Sequence, residues 1–295
     1  MQKFVDIMIR HGHSGVDTAR MYCKGTSEEL IGTLDLRNVL HVDTKIFPTT
    51  PGDHSQEKLG ELFDASLNAL NGKKIRVFYL HAPDHSVPFE DTLEVVTEIW
   101  KSGGFQEFGL SNFAAWEVAD IVGICESRGF VMPTVYEGPY NIVDRLAEDE
   151  LFPCLRKFNI RYASYCPLAG GYLTGRFFVP DDTKEITLGN FSAKNPISGF
   201  YTSRYLNFSL ARSVAELLEI AETHNLTLSE VALRWLQWHS KLQPDDHGVI
   251  VAADDSAQLE TNLSDCEKGP LPDAVAQACE DAWKKAKSAA PKYWI

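Results

Sequence analysis

The stretch "IRVFYLHAP", residues 75 to 83, decides the fold. It is apolar almost without interruption as far as Leu80, and then ends in His81 and Pro83. A strand with one wet face alternates apolar and polar residues. A strand buried on both faces does not, and such strands belong to parallel sheets covered by helices. Comparable short segments flank this one: "SGVDTA" (14–19), "NVLHVDTKIF" (38–47), "QEFGLSN" (106–112), "PTVYEG" (133–138), "RYASYCP" (161–167) and "HGVIVAA" (247–253).

Helical patterns lie between them. "SQEKLGELFDASLNALNG" (55–72) puts Leu59, Leu62, Phe63, Ser66, Leu67 and Leu70 on one face, with Gly72 as a stop. "EDTLEVVTEIWKSGG", "AAWEVADIVGICESRG" and "LARSVAELLEIAETHN" repeat the theme, and "LSEVALRWLQWHS" opens with Ser229 as a candidate cap. Strands alternating with helices predict parallel βαβ units. No G-x-G-x-x-G follows a strand, which argues against a Rossmann domain. The predicted fold is α/β, a TIM-type (β/α)8 barrel forming one domain over residues 1–295. The chain opens with the helical "KFVDIMIRHG", so the usual first strand is missing from the pattern. An open sheet edge would need cover, and pairing across a homodimer would supply it.

The composition excludes several classes of function. The chain has 295 residues, 44% hydrophobic and 23% charged, ordinary values for a globular protein. No apolar run approaches the roughly 20 residues needed to cross a bilayer, and the first residues carry no secretory signal pattern. A cytoplasmic protein without a membrane partner is expected. The net charge of −13 argues against nucleic acid. The six cysteines form no C-x-x-C pair and read as free thiols. His11 and His13 have no matching ligands nearby, so no metal is expected.

Functional groups of such barrels gather at the C-terminal ends of the strands. Here those ends present Asp17, Lys45 and His81, with Tyr22 just beyond Asp17. Each has an ordinary reading on its own: a solvated lysine, a packed tyrosine, a hydrogen-bonded core histidine. Together they make sense as chemistry. A phenol is a poor acid at neutral pH. A neighbouring ammonium stabilises its phenolate, a carboxylate holds that ammonium, and a histidine can orient a carbonyl oxygen. The set suits proton delivery to a carbonyl oxygen as hydride reaches its carbon.

The motifs "DTARMY", "TKIF", "FYLHAPDHSVPFEDTL", "GLSNFAAWEV", "PTVYEGPYN", "ELFPCLRKFNIRYASYCPLAGGYLTGR" and "ALRWLQWHS" resemble the aldo-keto reductases, closest to the aflatoxin-aldehyde reductase branch. The resemblance runs from about Phe4 to Trp294. It implies an NADPH-dependent carbonyl reductase acting on a small molecule, with Tyr22 as general acid, Lys45 and Asp17 tuning it and His81 orienting the substrate. Ser111 and Asn112 would hold the nicotinamide carboxamide; as bare sequence they read as a helix N-cap. Tyr165 would stack on the nicotinamide. The run through Cys166, Pro167, Leu168, Gly170 and Gly171 to Arg176 would wrap the pyrophosphate. Gln258 and Asn262 would meet the adenine end. A homodimer is implied.

The sequence departs from that pattern in specific places. Glu137 stands beside the nicotinamide position where the family usually has Gln. Asp254 and Asp255 fall where Gly and Ser usually bind the 2′-phosphate, and Asn190 replaces an arginine. Carboxylates repel a phosphate and suit a ribose 2′-hydroxyl. These changes predict a weakened NADPH preference with NADH accepted. The chain ends in Ile295 where branch members often carry a carboxylate-binding arginine, which leaves Arg204 as a candidate substrate contact, with a plain surface position the ordinary reading. Bulky aryl or polyketide-like carbonyls become more probable than dicarboxylate semialdehydes. The rival readings are a non-catalytic cofactor-binding barrel, like the potassium-channel β subunits, and a pocket used for non-redox chemistry.

Overall fold

The computed structural model describes residues 1–176, 189–192, 194–195, 197–206 and 208–295. The chain divides into two compact units. One comprises Met1–Gly138, Glu150–Ala163 and Trp294–Ile295; the other comprises Pro139–Asp149 and Ser164–Tyr293. Among the described residues seven strands are present: β1 (Gly15–Asp17), β2 (His41–Ile46), β3 (Ile75–Leu80), β4 (Phe105–Ser111), β5 (Pro133–Pro139), β6 (Arg161–Tyr165) and β7 (Gly248–Val249). They follow one another in sheet order from β1 to β7, and the pairs from β1 to β5 are parallel. Sequential parallel strands with intervening helices are the α/β pattern expected of a (β/α)8-type fold.

In the first unit the strands are interleaved with α1 (Gln2–Arg10), α2 (Thr26–Thr33), α3 (Gln56–Ala69), α4 (Phe89–Lys101), α5 (Ala115–Arg128) and α6 (Leu151–Lys157). The chain does begin in a helix, as its pattern predicts. α3 buries Leu59, Phe63 and Ser66, an i, i+4, i+7 stripe. Its Phe63 ring meets Phe78 of β3 edge-on at 5.0 Å, a geometry worth about 1 kcal/mol beyond the buried area. β3 is buried at Ile75, Val77, Phe78, Tyr79 and Leu80, which is why it reads as an apolar run interrupted only at Arg76.

Alternation along β2 sends its side chains to two faces. Thr44 turns to α2, where its hydroxyl donates to Glu28 Oε1 at 2.6 Å. Lys45 therefore turns to the other face, in one row with Tyr79 of β3 and Gly109 of β4. Position 109 must be glycine, because a Cβ there would stand 2.2 Å from the Tyr79 ring.

The loop after β1 carries Tyr22 and is braced from beneath. Thr18 N donates to Asp43 O (2.9 Å) and Arg20 N to Lys45 O (3.0 Å), so the chain stays fastened to β2 past the end of β1. Arg20 Nη1 pairs with Glu28 Oε2 at 2.8 Å and reaches Ala65 O at 3.1 Å. A short 3₁₀ turn, Tyr22–Gly25, then bends back through left-handed Cys23 and Lys24. It closes on Gly25 (φ 96°), where a Cβ would lie 1.6 Å from the Arg20 guanidinium.

The second unit contains α7 (Ser198–Tyr205), α8 (Phe208–Thr223), α9 (Leu228–Trp238), α10 (Ser256–Cys266) and α11 (Asp273–Ala286). Arg145 lies over the rings of Trp235 (4.8 Å) and Trp283 (5.8 Å) and pairs with Glu148 and Glu280, each at 2.7 Å. The cap of α9 is Thr227 and not Ser229: its hydroxyl accepts from Glu230 N at 3.1 Å, three residues on, as a cap requires.

Glu28 is fully buried and holds both Thr44 and Arg20. Glu28→Ala leaves the two partners without their acceptor, and we expect it to lower unfolding free energy by about 2 kcal/mol. Urea denaturation measures this; an unchanged midpoint would show that the brace carries no load.

Candidate active site

The first unit assembles the predicted tetrad around a buried ammonium. Lys45 has 0% side-chain exposure. Its Nζ donates to Asp17 Oδ1 and, at 3.0 Å, to Glu137 Oε2. The ammonium lies 5.7 Å from the centre of the Tyr22 ring and 5.5 Å from that of Tyr79. Tyr22 is 38% exposed, so a group held by buried residues faces accessible space. The Tyr22 and His81 rings are 5.8 Å apart and nearly perpendicular, and Phe47 meets the same histidine at 5.5 Å.

Burial and charge set the protonation states. Burial by itself would lower the Lys45 pKa, but the charges of Asp17 and Glu137 outweigh it and hold the group above its ordinary value. The Asp17 carboxyl is pushed well above the usual range, first by burial and then by the charge of Glu137, against the pull of Lys45. His81 is held well below its usual value by burial, then by Lys45 and His54. It is a neutral imidazole at physiological pH. Its Nδ1 is buried with no hydrogen-bond partner among the described residues. A proton there would be a buried donor without an acceptor, so the network assigns the proton to Nε2.

Ser111 ends β4 and Asn112 follows it. Asn112 Nδ2 donates to His81 O (2.8 Å) and to Ser111 Oγ (3.0 Å), and its backbone is left-handed at φ 64°. They do not cap α5. That cap is Ala114, whose N–H donates to Glu117 Oε2 at 2.7 Å, leaving the two strand-end side chains for other work. The backbone N–H of Ile295 donates to Asn112 O at 3.1 Å.

In the second unit, Tyr165 closes β6 half-buried, with its carbonyl accepting from Tyr140 N at 3.2 Å. The following run winds through left-handed positions at Cys166 (φ 56°), Ala169 (51°), Gly170 (67°), Gly171 (105°) and Gly175 (78°). Asn141 Nδ2 holds Cys166 O at 2.9 Å, and Pro167 is buried while Leu168 is half-buried. At Gly170 a Cβ would meet the Tyr201 ring at 2.3 Å; at Gly171 nothing lies within 4 Å, and Arg176 is exposed. Asn190 Nδ2 donates to Gly170 O at 3.2 Å. Asp255 caps α10, accepting from Ala257 N (2.8 Å) and Gln258 N (2.9 Å). Gln258 Oε1 accepts from Asp254 N at 2.7 Å, and Asn262 Nδ2 donates to Ala252 O at 3.4 Å.

Arg204 is not on the surface. It is buried, with Nε on Asp144 Oδ2 at 2.7 Å and Nη2 on Lys292 O at 2.9 Å, and Tyr205 donates to the same carboxylate at 3.1 Å. Sequence reasoning also missed Tyr79 and the Arg20–Glu28–Thr44 brace. Only the glycines at 25 and 109 hint at them, because each leaves room for a neighbouring side chain. Among the described residues, no group of three or more His, Cys, Asp or Glu could hold a metal ion. No described helix is long and apolar enough to cross a membrane.

Comparison with known proteins fits this geometry. The family model described as "Aldo/keto reductase family" matches residues 1–284. An aldo-keto reductase of Pseudocercospora fijiensis is 40% identical over 289 residues, covering 96% of this chain and 97% of the relative. Human aldo-keto reductase family 7 member A3 is 38% identical over 297 residues, 97% and 89% of the two chains. Mouse aflatoxin B1 aldehyde reductase member 2 is 38% identical over 300 residues, 98% and 82%. Matched along almost its whole length, and carrying a tyrosine beside a buried lysine at its strand ends, the chain belongs to the aldo/keto reductase family.

Proposed function

We propose that the protein reduces aldehydes or ketones, with Tyr22 as the proton donor and NADPH or NADH as the source of hydride. The observation that carries this reading is the convergence of an accessible phenol, a fully buried ammonium and a neutral imidazole, with ring and charge centres within 6 Å of Tyr22. When bound, the dihydronicotinamide supplies the hydride that forms the new C–H bond and is itself oxidised. The carbonyl π electrons move to oxygen, which takes the Tyr22 proton, and the phenolate regains a proton from solvent. His81 Nε2–H orients the carbonyl oxygen. Lys45, held by Asp17, stabilises the charge that develops on Tyr22.

The chain's donors fit a nicotinamide cofactor. Ser111 Oγ and the Asn112 amide would hold the carboxamide, beside Glu137. Tyr165 would offer its ring to the nicotinamide. The run from Cys166 through Pro167, Leu168, Gly170 and Gly171 would border the pyrophosphate, with left-handed backbone at Cys166, Gly170 and Gly171, open space at Gly171 and a cation at Arg176. Gln258 and Asn262 would meet the adenine end. There Asp255 already occupies the amides that start α10, the place where a 2′-phosphate would otherwise be received. This supports a weak preference between NADPH and NADH.

Phe47 and Tyr22 flank His81 with aromatic surface, which supports aryl or other bulky carbonyl substrates. The relatives named for aflatoxin B1 aldehyde support an aldehyde. Arg204 is already engaged by Asp144 and Lys292, so substrate orientation rests on His81. The free cysteines suit a reducing compartment such as the cytoplasm, and a homodimer is the assembly expected from the family.

Tyr22→Phe is expected to lower the reduction rate of an aryl aldehyde by about 100-fold or more while cofactor affinity stays within about twofold. An unchanged rate would remove Tyr22 from its role. Cofactor bound by the wild type with no turnover would favour a non-catalytic barrel. Fluorescence titration should give Kd values for NADPH and NADH within about tenfold of each other, a difference of 1.4 kcal/mol or less. An NADPH advantage of about 100-fold or more would contradict the role given to Asp255.

A further inference from the structure

Glu137 does more than border a cofactor site. Its Oε2 accepts from Lys45 Nζ at 3.0 Å with the side chain only 3% exposed, and the same ammonium donates to Asp17. Titratable and charged groups face this cluster from every neighbouring element. They are Asp17 on β1, Asp43 on β2, Arg76 and Tyr79 on β3, His81 and His54 in the loops beyond the strands, and Tyr22 in the turn after β1. Arg76 engages Asp43 through Nε at 2.9 Å and through Nη2. His81 is neutral. Lys45 is thus left to answer two carboxylates with one positive charge, in a place where water cannot screen the excess.

With a single carboxylate, the ammonium would be neutralised once and could still draw a phenolate toward it. With two, one carboxylate already neutralises the ammonium and the second must keep a proton or add a negative charge, so less of the ammonium is left for a Tyr22 phenolate. Resting on the reductase reading above, we propose that Glu137 is a positioning residue for the proton donor. By sharing the Lys45 ammonium with Asp17 it withholds that charge from a Tyr22 phenolate and keeps Tyr22 a phenol, the form that reduction needs, to higher pH. The upward push that burial and Glu137 exert on Asp17 agrees with a cluster carrying surplus negative charge.

Glu137→Gln keeps a carbonyl oxygen that can accept from Lys45 and removes the charge. The test compares this variant with wild type in two ways. The first is the pH profile of kcat/KM for reduction and for alcohol oxidation. The alkaline limb of reduction and the acid limb of oxidation should both move down by about 1 pH unit in the variant. Coincident limbs overturn the proposal. The second is thermal unfolding of the cofactor-free chain. A carboxyl held above its usual range keeps a proton that the unfolded chain releases, so its contribution falls as pH rises past about 4. The unfolding temperature of Glu137→Gln relative to wild type should therefore rise from about pH 5 to pH 8. A margin independent of pH overturns the proposal even where neither protein reduces any carbonyl. Absence of turnover in wild type, by contrast, would refute the reductase reading while this second arm still judges Glu137.

Discussion

A lysine ammonium without contact to water is stable only among carboxylates, and Lys45 is such a group. Burying an ion costs several kcal/mol unless a partner of opposite charge stands within hydrogen-bond reach. Two do so here, Asp17 at the end of β1 and Glu137 on β5. Their presence dictates the rest of the site. It keeps Lys45 charged, it keeps His81 neutral by adding a nearby cation to the effect of burial, and it fixes the ammonium beside the ring of Tyr22. An ammonium alone at this depth would neutralise itself; beside Asp17 and Glu137 the Lys45 ammonium holds its charge at the end of a sheet.

The fold serves this arrangement through register and bracing. Parallel strands in sequence order bring Asp17, Lys45, Tyr79 and Glu137 together although they lie far apart in the chain. Gly109 lets the Tyr79 ring lie flat against the next strand. Below Tyr22, the Arg20–Glu28–Thr44 contacts tie its loop to α2 and β2. The proton donor thus stands on a loop, where it can meet substrate, but its position is set by buried groups. Preorganisation of this kind is what lets fixed charges act on a developing phenolate without first having to reorient.

Much of this was legible in the residues. Each strand announces itself as a short apolar or β-branched run, and β1 to β7 each coincide with a segment that reads as a strand, β4 and β5 overrunning theirs by one residue. The boundaries were less clear. "HGVIVAA" narrows to Gly248–Val249, although Ile250 N still donates to Ser164 O at 2.8 Å. The α9 cap moved from Ser229 to Thr227, because a cap is defined by which amide it reaches and not by its residue type alone. Asp17, Lys45 and His81 were legible because a titratable group at the end of an apolar strand stands out. The bond between Lys45 and Glu137 was not, since 92 residues separate them and only the sheet brings them together. Arg204 was unreadable for the same reason: nothing local to "YTSRY" points to Asp144.

Lys45→Met tests the electrostatic centre most directly, because methionine fills a similar space without charge. We expect the variant to unfold about 3 kcal/mol more easily than wild type near pH 8, where the buried carboxyls are left without their cation. The deficit should shrink toward about pH 5, because the Asp17 carboxyl, pushed up by burial, takes a proton there more readily and then needs no partner. Chemical denaturation at the two pH values measures it. A deficit of the same size at both, or none at either, would contradict a charged lysine holding two carboxylates at the heart of the site.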